Sequence, residues 1–336
     1  MSLLSNWKEV LNTANLSPDK EMDVVSKWLI ITRAAVFSMT ATSGLIGGLL
    51  AAALAERLNW CHFALALVGL VLAHAANNMI NDYFDLEAGV DTDEYARAQY
   101  APHPILSGMI SKRGLLTAIL TINLIDLAIL IYFVIRVGWP VLIFALAGLF
   151  ISVFYVAPPI KLKHHGLGEP GVFLVWGPLM IGGAYFVTAG EIPSTGVWLA
   201  CLPYALIVTT VLVGKHIDKR ELDEAKGIRT IPVILGNKAS LWLNQALMVG
   251  YYLIVAILVF LGTLDIWVLL VFLATPRLVR VLKIYNEPKP SEPPADYPVW
   301  PLWFVSAAFY HNKLAGGLFV LGLILNLVFP YTLKLF

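Results

Sequence analysis

Amides and carboxylates crowd together in the stretch Asn78-Met-Ile-Asn81-Asp82-Tyr-Phe-Asp85-Leu-Glu-Ala-Gly89-Val-Asp91, where a long apolar run ends. On a helix Asn78, Asp82 and Asp85 lie four and then three residues apart and share one face. Carboxylates on one face repel each other unless a cation lies between them, and an all-oxygen ligand set suits a hard cation such as Mg²⁺. A solvated helix end is the plainer reading of an acidic cluster. Against it, the amides of Asn78 and Asn81 fall on the apolar side of the carboxylates, where an idle polar group is costly. A second acidic cluster, Asp218 to Asp223, closes another apolar run.

Two such clusters facing each other across a helical bundle, with lysines and arginines around them, suit a polyanion together with a divalent metal. Diphosphate fits best: metal bridges carboxylates to phosphate oxygens, and basic side chains neutralise what remains. In a membrane the rest of that substrate is a lipid, and a lipid diphosphate ionised by Mg²⁺ is an allylic polyprenyl donor. The second cluster is irregular. Asp218 and Asp223 are five apart, about 140° around a straight helix. The expected arrangement is a break or widened turn between His216 and Asp223, with both aspartates turned toward the first cluster. The competing one is a straight helix in which Asp218 and Glu221 form the ligand pair and Asp223 pairs with Lys219.

The elements that must hold these residues are membrane helices. Of the 336 residues 59% are apolar and 13% charged, against about 25% charged in soluble domains. Apolar runs long enough to span a bilayer fall near 28–55, 62–84, 113–136, 140–158, 170–190, 195–215, 239–262, 264–284 and 313–334. The sequence therefore predicts an all-α membrane protein with nine spans. With the N-terminus in the cytoplasm, the basic residues gather on the cytoplasmic side, and only Arg57, Arg136 and Lys334 fall opposite. The acidic clusters follow spans two and six, so the chain reads as two four-helix halves plus one helix. Residues 1–26 place Leu3, Leu4, Trp7, Val10 and Leu11 at helical spacing, an amphipathic segment for the membrane surface. Residues 27–336 then form a single transmembrane domain. Cys61 and Cys201 imply neither a disulfide framework nor a metal site, and no basic cluster is dense enough for nucleic acid.

Asn78-xxx-Asp82-xx-Asp85 with Gly89 and Asp91 resembles the first aspartate-rich motif of the UbiA superfamily of intramembrane prenyltransferases. The form Asn81-Asp82-Tyr-Phe-Asp85-xxx-Gly89-Val-Asp91-Thr92 is most similar to the dihydroxynaphthoate branch of menaquinone synthesis. Tyr155-xx-Pro158 through Lys163 to Glu169, and Asp223-xxx-Gly227-Ile-Arg229-Thr230-Ile-Pro232, resemble further segments of that branch. The resemblance spans roughly residues 28–285. It implies Mg²⁺-dependent transfer of a polyprenyl group to an aromatic acceptor, at the cytoplasmic side of a prokaryotic membrane. Asn78, Asp82 and Asp85 would hold one Mg²⁺, and Asp218 and Asp223 the other. Asn78, Lys163 and Arg33 would contact the diphosphate, although Arg33 also suits a snorkelling role. The family's second motif reads Asp-xxx-Asp, from which this sequence departs. The loop around His103-Pro104 lacks an arginine of quinone-pathway relatives. A chlorin or a glycerol phosphate lipid therefore stays open as acceptor.

Other polar residues have simpler readings. His74 is expected as a hydrogen-bonded bundle histidine. Asp126 should bond to a neighbouring helix, and Asp91 should be a loop residue, either an outer ligand or solvated. Trp176, Tyr185, Phe186 and Tyr204 could line a prenyl tunnel but also suit packing. An ion-coupled transporter would place its carboxylates near the bilayer midplane. These clusters sit at span ends. A phospholipid-type phosphotransferase would carry an Asp-Gly signature followed by spaced Ala-Arg and further aspartates, which is absent.

Overall fold

The computed structural model describes residues 3–92, 94–295 and 297–331, and every regular element among them is helical. Two short helices come first, α1 (Leu3–Thr13) and α2 (Val24–Ile31). They are followed by α3 (Phe37–Leu54), α4 (Trp60–Glu87), the short α5 (Ala96–Tyr100), α6 (Lys112–Arg136), α7 (Val141–Phe154) and α8 (Gly168–Ala189). The second half comprises α9 (Thr195–Asp218), the short α10 (Arg220–Ala225) and α11 (Ile231–Leu235), then α12 (Asn237–Phe260), α13 (Thr275–Asn286) and α14 (Phe304–Val328). Seven helices are long and apolar enough to cross a membrane: α3 with its preceding 3₁₀ turn, α4, α6, α8, α9, α12 and α14.

Four of the nine expected spans differ in form. The first divides at Arg33, whose left-handed backbone (φ 55°) separates α2 from the 3₁₀ turn Ala34–Val36. The fourth shrinks to α7, ended before the proline pair Pro158-Pro159. The eighth is a 3₁₀ stretch, Ile266–Ala274, joined to α13, whose start carries Pro276 in the first turn, where its missing N–H costs least. The last begins at Phe304, well before residue 313, because its first turn has a partner described below.

Hydrogen-bond caps start several of these helices. Asn59 accepts the His62 N–H at α4 (3.0 Å) and Ser111 accepts the Gly114 N–H at α6 (3.1 Å). Small residues let backbones approach, as expected where lipid offers no hydrophobic drive between helices. A Cβ on Gly47 of α3 would come within 2.4 Å of the Ile181 carbonyl oxygen on α8. The main core gathers α3, α8, α9, α12, α13 and α14 around Tyr204, Tyr251, Tyr285 and Phe319. By contrast α6 packs mainly on α4 and exposes Leu120, Leu124, Leu127 and Ile131.

Candidate active site

The first acidic stretch ends α4, and a Schellman stop closes it. Gly89 takes a left-handed φ of 68°, the Gly89 N–H returns to Leu86 O (3.0 Å), and the Val90 N–H returns to Asp85 O (2.8 Å). Only glycine adopts that φ without strain. The turn folds the chain back so that Asp91 comes beside Asp82. Asp91 is buried at 4% exposure, which rules out the solvated alternative.

Asp82 is fully buried and carries two arginines. Arg33 pairs with its Oδ1, while Arg97 on α5 reaches Oδ1 through Nε (3.0 Å) and Oδ2 through Nη2 (3.3 Å). His103 Nε2 lies 3.8 Å from Asp82 Oδ1 and 3.5 Å from Asp91 Oδ2. The N–H groups of Ile105 and Leu106 both donate to His103 Nδ1, at 3.3 Å. A neutral His103 therefore carries its proton on Nε2, between the two carboxylates. Asp85 receives both bonds of the Lys163 ammonium, at 2.8 and 2.9 Å. Asn78 donates its amide N–H to Thr32 O (2.9 Å), the carbonyl left open by the break at Arg33. Part of its expected duty is thus to hold the turn that presents Arg33.

The second motif breaks where the sequence suggested, at Lys219 (φ −108°, ψ 7°), between α9 and α10. One part of the expectation needs correction. Asp218 turns away from the first cluster: its Oδ1 accepts the Phe304 N–H (3.1 Å) and its Oδ2 the Val305 N–H (2.9 Å), with Lys289 at 3.2 Å. These are first-turn donors of α14 without helical partners, so the carboxylate caps that helix instead of meeting Asp223. Glu221 is exposed and paired with Arg220, which removes the straight-helix alternative. One element of that alternative is nonetheless present. Asp223 is fully buried and pairs with Lys219 one turn back (3.3 Å).

Asp223 also accepts the hydroxyl of Tyr95, from the segment that follows the first cluster. Burial alone would raise the Asp223 carboxyl. The Lys219 ammonium, His216 and the Tyr95 hydroxyl outweigh it and hold Asp223 below the usual carboxylate range. Burial works against the charge on Lys219 too, yet Asp223 and Tyr95 keep that ammonium well above the ordinary lysine range. Behind this pair, His216 Nδ1 meets Glu169 Oε1 at 2.7 Å, and Glu169 also accepts the Ile231 N–H (3.2 Å). A second Schellman stop, at Gly227, ends α10: Ile228 N–H returns to Asp223 O (2.8 Å) and Gly227 N–H to Glu224 O (3.0 Å). The Lys226 ammonium then donates to Gly89 O (2.7 Å), tying the two stops together.

Beside these groups opens a cavity of about 700 Å³. Arg33, Asn78, Asn81, Arg97 and Lys215 line its polar end, and Ala66, Leu130, Phe133, Phe144 and Val187 line an apolar part. Lys215 forms no ion pair among the described residues. His74 sits in the wall as a bonded histidine, with Thr40 Oγ1 at 2.7 Å from Nδ1 and the Trp176 ring edge-on. Trp176 faces the cavity, whereas Tyr204 is spent on packing and a bond to Met39 O (3.2 Å). Asp126 also lines the cavity. Its Oδ1 is buried without a hydrogen-bond partner, contrary to the expected bond to a neighbouring helix.

The donor set suits a hard cation. Asn81 Oδ1, Asp91 Oδ2 and Asp223 Oδ2 are buried oxygens without a hydrogen-bond partner. One ligand atom each from Asp82, Asp91 and His103 fall within 4.8 Å of one another. Sequence reading passed over Tyr95, Arg97, His103 and Lys215 as site residues. Their signal was faint, since a charge or ring in an interhelical loop resembles any topogenic or interfacial residue.

Carboxylates and arginines thus gather at one end of an apolar cavity, within a bundle of helices long and apolar enough to cross a membrane. Residues 40–307 match the model of the UbiA prenyltransferase family, and the chain belongs to that family. It is 25% identical over 227 residues to the 1,4-dihydroxy-2-naphthoate octaprenyltransferase of Bacillus subtilis (strain 168), covering 67% of this chain and 72% of the relative. It is 24% identical over 272 residues to the 2-carboxy-1,4-naphthoquinone phytyltransferase of Synechocystis sp. (strain ATCC 27184 / PCC 6803 / Kazusa), covering 80% and 85%. Among solved structures, a UbiA homolog from Archaeoglobus fulgidus bound to GPP and Mg²⁺ superposes with a TM-score of 0.58 at 16% identity, over 89% of this chain and 99% of that one. The chain is a prenyltransferase of that membrane family.

Proposed function

We propose that the enzyme transfers a polyprenyl group from an allylic polyprenyl diphosphate to an aromatic acceptor of the quinone type, with Mg²⁺. The carrying observation is the juxtaposition of Asp82 and Asp85, each held by basic side chains, with the polar end of a cavity whose walls are apolar. The naphthoate relatives and the Mg²⁺-bound fold neighbour support acceptor class and metal respectively. Asp82, Asp85 and Asp91 would hold Mg²⁺, with Asn81 adding an amide oxygen and Asp223 facing them through Tyr95. Bound there, the metal would neutralise charge on the departing diphosphate. Asn78 serves as a positioning residue for Arg33, and Asp218 as the cap of α14.

The chain's own residues do the rest. Arg33, Arg97 and Lys163 bind diphosphate oxygens through charge-assisted hydrogen bonds, and Lys215 stands at the same end of the cavity. His103 Nε2 stands between Asp82 and Asp91, at 3.8 and 3.5 Å, as a further polar atom facing both carboxylates. The apolar walls exclude water that would quench the carbocation-like carbon once the allylic C–O bond loosens. An electron-rich ring carbon then attacks, and a proton, or a carboxylate as CO₂, leaves the ring. In the membrane, α7 and the 266–286 segment complete nine spans around a single domain of residues 27–336. The N-terminus and the site then lie on the cytoplasmic side, and residues 1–26 lie on the membrane surface. The test is incubation of membranes carrying the chain with labelled geranylgeranyl diphosphate and a panel of naphthoate, benzoate, chlorin and glycerol phosphate acceptors. Label should pass to a naphthoate and stop with chelator. Transfer to glycerol phosphate alone would overturn the acceptor, and full turnover without metal would overturn the metal.

A further inference from the structure

The second motif offers one carboxylate where a shared metal needs two. Asp218 is committed to α14 and Glu221 is exposed, so the residue that shares the Asp223 face one turn earlier is Lys219. Lys219 is 5% exposed, with its Nζ 2.7 Å from Tyr95 Oη, 3.3 Å from Asp223 Oδ1 and 4.8 Å from the Tyr95 ring centre. Among the described residues the group of acidic and histidine side chains close enough to hold an ion is Asp82, Asp91 and His103, all in the first cluster.

We propose that Lys219 is a built-in cation standing where a second divalent metal would otherwise be needed. The site then takes one Mg²⁺, at the first cluster, and meets the diphosphate from the opposite side with the Lys219 ammonium. This rests on the prenyl diphosphate reading above.

The two sides differ in how their cations are held. Arg33, Arg97 and Lys163 reach the first cluster from other elements, so they can turn to phosphate while the carboxylates stay. Lys219 cannot leave Asp223 in that way, since it stands one turn before Asp223 at the start of α10, with its end against the Tyr95 ring. A divalent ion on Asp223 would face this fixed ammonium at close range in a medium of low dielectric, where like charges repel strongly. The ammonium has three donors, and Tyr95 and Asp223 take two. The third has no partner among the described residues and would go to a phosphate oxygen.

The experiment counts metal directly. The purified full chain in nanodiscs is equilibrated with Mn²⁺ and the unreactive geranylgeranyl S-thiolodiphosphate, and bound Mn²⁺ is measured by electron paramagnetic resonance. One Mn²⁺ per chain is expected, and two in Lys219→Asp, which restores a second carboxylate. Lys219→Met should keep one Mn²⁺ and weaken analogue binding by about 10- to 100-fold, the loss of a charge-assisted bond. Two Mn²⁺ in the unaltered chain, or unchanged analogue affinity in Lys219→Met, would overturn the proposal while leaving prenyl diphosphate as substrate. Failure of the analogue to bind at any Mn²⁺ concentration would remove the substrate reading and this proposal with it.

Discussion

The ends of α4 and α9–α10 are built on one plan and finished differently. Each places an aspartate, Asp85 or Asp223, at the last carbonyl gathered by a left-handed glycine, Gly89 or Gly227. Three residues before that aspartate the first end has Asp82 and the second has Arg220; four before, the first has Asn81 and the second Lys219. One end therefore collects oxygen donors, and the other places a cation beside a single carboxylate. A repeated backbone stop, not repeated side chains, is what the halves share. Oxygen donors of the kind that suit a metal sit on one half, and a buried ion pair sits on the other.

The largest expected effect comes from the first end. Asp82→Ala should lower kcat/KM by at least about 10³-fold, and because it strands Arg33 and Arg97 it should also cost about 3–5 kcal/mol of stability. Radiolabel transfer and thermal unfolding in detergent measure the two. A rate within tenfold of the parent would make the first end as dispensable as a solvated helix terminus. Next comes Asp223→Asn, expected to cost about 10²-fold, as for loss of one preorganised electrostatic group, while Glu221→Gln stays near the parent rate. The reverse ranking would break the comparison, since it would move the second end's function onto its exposed face.

Asp218→Ala sharpens it from another side. With two α14 N–H groups left unbonded, stability should fall by about 1–3 kcal/mol, with the number of bound metal ions unchanged. Loss of a metal ion in that variant would return Asp218 to the ligand set. The smallest effect is on pH. A carboxyl held below its ordinary range contributes stability fully present above that range, near pH 4, and lost only as pH falls further. A lysine held above its range contributes stability fully present below about pH 10 and lost as pH rises through the higher folded value. The Lys219–Asp223 pair should therefore add no slope to the rate or unfolding profile between about pH 5 and 9. A midpoint inside that window, abolished by Lys219→Met, would show that the pair is not the permanently charged unit described here.

Much of the plan was legible in sequence because it depends on period and composition. Apolar runs gave the helices, and four-and-three spacing put Asp82 and Asp85 on one face. The irregular spacing of Asp218 and Asp223 located the break at Lys219. What could not be read is which way a side chain turns after a break. Asp218 was free to choose once α9 ended, and the bare N–H groups of α14, some 86 residues on, decided the matter. Arg97 and Tyr95 were missed for a similar reason: their partners are set by the fold-back at Gly89, which brings an ordinary loop over the site. The expected bond for Asp126 also failed, because α6 packs on little besides α4 and leaves that carboxyl beside the cavity.

Asp218 and Lys219 are neighbours in the chain, yet one grips the first turn of α14 and the other begins the turn that carries Asp223. The polar cluster around Asp223 and one wall of the cavity, where Val305, Phe309, Tyr310 and Lys313 stand, consequently share an anchor. The placement of Asp223 and the start of the last helix therefore rest on one peptide link, between Asp218 and Lys219.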